Sequence, residues 1–180
     1  MGSKSKEENV MELFFNESSR HWHFEDILKE ARISRPQAMN WLKSLAKEGI
    51  IKRIKEKNKM PYYTGDFENP AYKNRKKLCA LNKFYKTGFL NHLSQLNAET
   101  IILFGSFARA DWNTDSDIDL FIYGDADKFE QGKYEQKLGR EIQTFACKNQ
   151  KECRKFPPEL IKSIQSGYLV KGNMELIKNA

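Results

Sequence analysis

Two short apolar runs constrain this chain more than any other feature: residues 100–104 (TIILF) and 118–123 (IDLFIY). They are rich in β-branched and aromatic side chains and too short for stable helices, so both read as buried strands. The first stops at Gly105-Ser106, and the second is preceded by Asp117 and carries Asp119. Glycine at a strand end lets the backbone approach a ligand closely, and a helix starting there aims N–H groups outward. Ser106 adds a hydroxyl. Asp117 and Asp119 are two apart on a strand and share a face, whereas Ile118 and Leu120 turn the other way, into the core. Side-by-side carboxylates repel unless a cation lies between them, and hard oxygen donors suit Mg²⁺ or Mn²⁺. A phosphate cradle thus faces a metal clamp.

The flanking sequence supplies the rest of a small αβ domain. Residues 128–138 read as a helix, 141–147 (EIQTFAC) as a third strand and 158–165 as a helix, followed by an extended tail through Tyr168, Leu169 and Val170. Ahead of this domain, Leu78, Leu81, Phe84, Tyr85, Phe89, Leu93 and Leu96 recur at three and four, which predicts one long connecting helix after Asn69-Pro70.

The front of the chain follows another pattern. Residues 8–15 and 24–31 read as amphipathic helices. Ser34, Pro36 and Gln37 start a third, as N-cap, first-turn proline and capping-box partner, and Gly49 stops it. Residues 50–54 and 61–64 read as strands about a polar turn. Three helices followed by a basic hairpin resemble a winged helix-turn-helix in pattern. On that resemblance the third helix offers Arg35, Gln37, Asn40, Lys43, Ser44 and Lys47 to DNA, and the wing offers Lys52, Arg53, Lys55, Lys57 and Lys59. Arg35, Gln37 and Asn40 would read bases, and the lysines would hold phosphates.

Charge divides along the same lines. The 180 residues carry a net +7, but residues 1–97 hold 19 Lys and Arg against 11 Asp and Glu, whereas residues 98–150 hold 6 against 10. Basic surface favours polyanions, and an acidic patch within a basic protein calls for a cation. Cys79, Cys147 and Cys153 form no C-x-x-C pair, so reduced thiols are expected rather than a disulfide or zinc site. His21 and His23 flank Trp22 with no further ligand nearby in sequence, which favours a surface role. No apolar run is long enough to span a membrane, and no signal peptide is visible, so a soluble, cytoplasmic chain is expected.

The run GSFARADWNTDSDIDLFIYG resembles the nucleotidyltransferase superfamily that includes DNA polymerase beta, above all its minimal nucleotidyltransferase branch. The resemblance covers about residues 99–172. It implies that Gly105 and Ser106 bind the triphosphate of ATP or another NTP, that Asp117 and Asp119 hold two Mg²⁺ (or Mn²⁺) ions, and that Arg109 and Ser116 assist. Two departures stand out. Ala110 replaces a frequent glycine, and Gln143 occupies the place of the third carboxylate, with Glu141 two residues earlier as a substitute. The expected architecture is α+β: a winged helix-turn-helix over 1–66, a connecting helix over 67–97 and a small αβ nucleotidyltransferase domain with a mixed sheet over 98–180.

Three functions compete on these grounds. The first is AMP transfer to a hydroxyl acceptor, which in minimal nucleotidyltransferases is often a tyrosine of a partner HEPN-type toxin. The second is a DNA-binding regulator, with a homodimer among its expected assemblies, whose nucleotidyltransferase domain only binds nucleotide or a partner. The third is RNA modification, with the basic half as platform.

Overall fold

The computed structural model describes residues 5–178, and these fall into two compact units. One contains the described residues up to Lys76 together with Trp112–Thr114; the other contains Lys77–Asp111 and the described residues from Asp115 onward.

The first unit is built from α1 (Lys6–Asn16), β1 (Trp22–His23), α2 (Phe24–Ala31), α3 (Arg35–Lys47), β2 (Ile51–Ile54) and β3 (Tyr62–Gly65). Helix α1 opens on a capping box: the Ser5 hydroxyl accepts from Glu8 N–H at 3.1 Å and the Glu8 carboxylate accepts from Ser5 N–H at 3.0 Å. At the start of α3, Gln37 Oε1 accepts from Ser34 N–H at 3.2 Å and from its hydroxyl at 3.1 Å. Just past the end of α3, Gly49 takes φ +73°, a left-handed conformation that glycine adopts without penalty. The strands form an antiparallel sheet in the order β1-β3-β2. Its core comes from Val10, Phe14, Trp22, Ile27, Leu42, Leu45 and Ile51, all buried. His21 stacks on Tyr62 at 3.9 Å, and His23 Nδ1 lies 3.2 Å from the Pro61 carbonyl, so both serve packing.

Tyr72, in α4 (Pro70–Lys86), completes this core. Its hydroxyl donates to the Phe14 carbonyl at 2.8 Å, and its ring meets Phe15 edge-on at 5.3 Å. A Cβ on Gly65 would press on that ring at 3.0 Å, which explains a glycine inside a strand. Burial holds the Tyr72 phenol above its ordinary range, so it stays a neutral donor. Lys76 is also buried; its ammonium donates to the Trp112 carbonyl at 2.5 Å and lies 4.6 Å from the Trp112 ring.

The second unit corrects the expected single connecting helix. Helix α4 stops at Lys86, and α5 (Phe89–Gln95) restarts after Gly88, whose φ of +77° breaks the helical path. Apolar periodicity continues through the break because Phe84, Phe89 and Leu93 still bury together. Next come β4 (Ala98–Phe104), α6 (Gly105–Arg109), β5 (Ile118–Gly124), α7 (Gln131–Leu138), β6 (Ile142–Cys147), α8 (Gln150–Cys153), α9 (Pro158–Gln165), β7 (Tyr168–Lys171) and α10 (Glu175–Lys178). The sheet is mixed, in the order β6-β5-β4-β7. Strand β5 is antiparallel to β4 and parallel to β6, and α7 supplies the crossover that a parallel pair needs. Ile102, Phe104, Phe121, Tyr123 and Cys147 cover one face against Cys153 and Ile164.

The structure also overturns the expectation of reduced thiols. Cys147, at the end of β6, is disulfide-bonded to Cys153 in α8, whereas Cys79 forms no disulfide. The turn led by Asn149, whose side chain accepts from Glu152 N–H at 3.1 Å, brings the two Cα atoms to 5.6 Å. Spacing arithmetic could not show that reversal of the chain.

Replacing Tyr72 by Phe removes the hydroxyl and leaves a buried carbonyl without that donor. A loss of about 1 kcal/mol is expected, read as a lower urea midpoint at unchanged m-value.

Candidate functional site

Asp119 is the centre of the site, and three strands fix its surroundings. In the antiparallel register Phe104 of β4 faces it, and in the parallel register Gln143 of β6 faces it from the other side. Alternation places Asp119 and Gln143 on the same sheet face as Phe121 and Phe145, so the polar pair crowns an aromatic floor. Phe104 and Phe145 pack at 5.5 Å, and Phe145 and Phe156 meet edge-on at 6.3 Å.

One residue beyond Phe104 the chain turns at Gly105 with φ +66°. A Cβ there would overlap the Asp119 carboxylate, standing 2.7 Å from its Cγ. Gly105 is therefore required twice, by its backbone conformation and by the carboxylate lying on its bare Cα. It begins α6, whose first N–H groups have no partner within the helix. Ser106 follows, half-buried.

The Asp119 carboxyl is held above its usual range, first by burial and then by the charge of Asp117; Arg109 acts in the opposite sense. Two oxygen-donor carboxylates, one half-buried and mutually repelled, form a donor set that fits a hard divalent cation, with Gln143 as a neutral oxygen donor across the register. Among the described residues, no three His, Cys, Asp or Glu side chains come together as a metal cluster. Glu141 is exposed just ahead of β6; its carbonyl accepts from Ile118 N–H at 2.9 Å.

Other candidates are engaged locally. Arg109 donates from Nε to Asp111 Oδ2 at 2.8 Å and from Nη2 to Oδ1 at 3.4 Å, an exposed pair that costs little to open. Ser116 presents its carbonyl to Arg140 Nη1 at 2.7 Å. Arg140 also lies 5.2 Å over the Phe107 ring and so ties α6 to the approach of β5. Sequence reading missed it, since nothing but its nearness to Glu141 marks it. Ala110, where glycine was noted as frequent, takes φ +61° at the end of α6, the reason a glycine suits that position.

On the first unit, Asn40, Lys43, Lys47, Arg53, Lys55 and Lys57 are exposed. Arg35 is exposed but ion-paired with Glu25 at 2.5 Å, and Gln37 is occupied by the α3 cap. Those two would have to release local partners before reading a base.

The raised carboxyl has a consequence for stability. Below the ordinary carboxylate range Asp119 is protonated in folded and unfolded states alike. As pH rises through its raised folded value, ionisation penalises the folded state. Asp119→Asn is therefore expected to raise the melting temperature of the metal-free protein at pH 7 and to lose that advantage at pH 3, by calorimetry at both values. Gly105→Ala should cost about 1–2 kcal/mol from the left-handed backbone alone, seen in denaturant titration.

No curated protein matches this chain. Among solved structures, one described as the crystal structure of the toxin-antitoxin with AMP-PNP aligns over 54% of this chain and 77% of its own, at 20% identity and a TM-score of 0.37. Residues 87–170, from just before α5 into β7 and including the whole Gly105–Asp119 segment, match the family model of the nucleotidyltransferase domain.

Proposed function

We propose that the second unit is a divalent-cation-dependent nucleotidyltransferase that moves AMP from ATP to a hydroxyl of a partner protein, as an antitoxin-like modifier of an HEPN-type toxin. The observation that carries this reading is the Asp119 carboxylate seated on the bare Cα of Gly105. It brings a phosphate-accepting turn and a cation-binding carboxylate into one site, on residues matched by the domain family.

Each side chain has a task in that reaction. The Gly105 turn and Ser106 hold the triphosphate, Asp117 and Asp119 hold the cation, and Arg109, once released from Asp111, screens phosphate charge. The acceptor oxygen attacks the α-phosphorus, the bond to the bridging oxygen breaks, and pyrophosphate leaves; the hydroxyl proton passes to solvent or to Glu141. A bound cation would supply Lewis acidity at the α-phosphate.

Gln143 opposite Asp119 supports a second reading, a domain that binds nucleotide with weak or no transfer. An amide accepts no proton at neutral pH. In either case the first unit acts as a cytoplasmic, DNA-binding winged helix, a reading supported by its order of helices and strands and by the exposed Asn40, Lys43, Lys47, Arg53, Lys55 and Lys57.

The deciding experiment incubates the protein with Mg²⁺ or Mn²⁺, each α-labelled NTP in turn and a lysate of the source organism. Label on one protein band, absent with Asp117→Ala/Asp119→Ala, is expected. Gln143→Glu should raise the rate about a hundredfold or more, the usual contribution of a positioned general base. Nucleotide binding with no label from either wild type or Gln143→Glu would leave the regulator reading standing.

A further inference from the structure

We infer that Arg140 is a positioning residue for the transfer proposed above: it fixes Asp117 relative to the phosphate turn and does not itself touch nucleotide or cation. The inference rests on that reading where it concerns bound nucleotide, and on the fold alone where it concerns the placing of Asp117.

The two aspartates are held by different means. Asp119 lies inside β5, where Phe104 and Gln143 pair with it from either side. Asp117 comes before the strand, which begins at Ile118, and so lies outside both registers. Its neighbours in the chain hold it instead. The Ser116 carbonyl accepts from Arg140 Nη1 at 2.7 Å, and the Ile118 N–H donates to the Glu141 carbonyl at 2.9 Å. Consecutive residues of one turn thus grip the backbone immediately before and immediately after Asp117. The grip after it is a backbone bond, independent of the side chain at position 141. The grip before it depends on the Arg140 guanidinium.

The turn that carries Arg140 is itself anchored. The Gly139 and Arg140 N–H groups both donate to the Glu135 carbonyl, at 2.8 and 3.3 Å, and the Glu135 carboxylate accepts from Ile142 N–H at 3.1 Å. Glu135 therefore closes the turn at both ends, and Arg140 projects from a fixed base. Its guanidinium lies 5.2 Å over the ring of Phe107, a buried residue of α6. Gly105 and Ser106 begin that helix, so one planar group reaches both the helix of the phosphate turn and the backbone entering Asp117. A lysine ammonium can meet the carbonyl or the ring face, but it lacks the plane that lets a guanidinium serve both at once.

The test compares the full chain with Arg140→Lys, which keeps the charge, and with Phe107→Leu, which keeps the guanidinium and removes its plate. Hydrogen exchange is followed first, without ligand. Amides at positions 115–118 should exchange about tenfold faster in Arg140→Lys, the weight of one hydrogen bond to a charged group. Amides of β4 at positions 101–104 should exchange as in wild type, which separates loss of the grip from general unfolding. Phe107→Leu should change the same segment in the same direction, and it serves alone if Arg140→Lys does not fold. Binding of α,β-methylene-ATP, whose α–β bridge resists cleavage, is then measured with Mn²⁺ and with a chelator in its place. The affinity in Mn²⁺ should fall about tenfold or more in Arg140→Lys, because the carboxylate pair is displaced from the phosphate turn. The affinity in chelator should match wild type, since the turn itself is intact. Unchanged exchange at positions 115–118 would overturn the inference. So would an equal loss with and without Mn²⁺, which would make Arg140 a direct phosphate contact or a fold residue only. Wild-type behaviour of Arg140→Lys in both measurements would show that charge alone suffices, and would overturn it too. If wild type binds no nucleotide under either condition, the transfer reading fails, and the exchange measurement still decides whether Arg140 places Asp117.

Discussion

The second unit is organised around the carboxylate of Asp119 resting on the Cα of Gly105. Everything close by is arranged to permit that contact. Strand β4 must end at Phe104, the chain must turn through a left-handed glycine, and β5 must register so that Asp119 faces Phe104. Shift β5 by one residue and Ile118 or Leu120 would meet the turn, while both carboxylates would point into the opposite layer. The buried character of β5, with Ile118, Leu120, Phe121 and Ile122 all buried, opposes such a slip. The core thus fixes the site geometry, and the cost of the half-buried, repelled carboxylate is borne by packing elsewhere in the sheet.

The third strand shows the same logic applied to chemistry. Because β5 and β6 run parallel and in register, residue 143 must lie beside Asp119 whatever its identity. A carboxylate at that position would add a third negative charge to a pair already in mutual repulsion; glutamine keeps an oxygen donor there and removes the charge. The amide therefore lowers the electrostatic cost of the cation-free site while giving up a proton acceptor. Under the proposed function, binding and turnover would be separable at this one position, and the two functional readings differ only there.

Much of this was legible in the sequence because the signals were local. Ser34 and Gln37 marked the start of α3, and the short apolar runs located β4 and β5, since caps and strand-forming runs act over a few residues. The Gly105–Asp119 pairing was visible as motif spacing. Missed features depended on how distant segments return. The Cys147–Cys153 bridge needs the turn at Asn149, and Arg140 becomes relevant only when the loop before β6 lies beside Phe107 and Ser116. Gly88 was hidden by its surroundings: the apolar period runs unbroken across it, so only its φ of +77° shows the break. Gln37 carried two expectations at once, capping-box partner and base reader, and its side-chain oxygen is engaged by the first of them, in the α3 cap.

Arg140 illustrates how a cation can serve a site without touching its ligand. Its guanidinium donates to the Ser116 carbonyl and covers the Phe107 ring, so one side chain spans the helix that Gly105 begins and the backbone that leads into Asp117. A guanidinium is suited to this because its plane stacks on an aromatic face while its edge donates hydrogen bonds, which a lysine ammonium cannot do together. The distance between phosphate turn and carboxylate pair is then set by a rigid planar bracket as well as by the sheet. Under the proposed function, holding a triphosphate and a cation together would depend on that separation, because transition-state stabilisation falls steeply when groups are misplaced by about 1 Å.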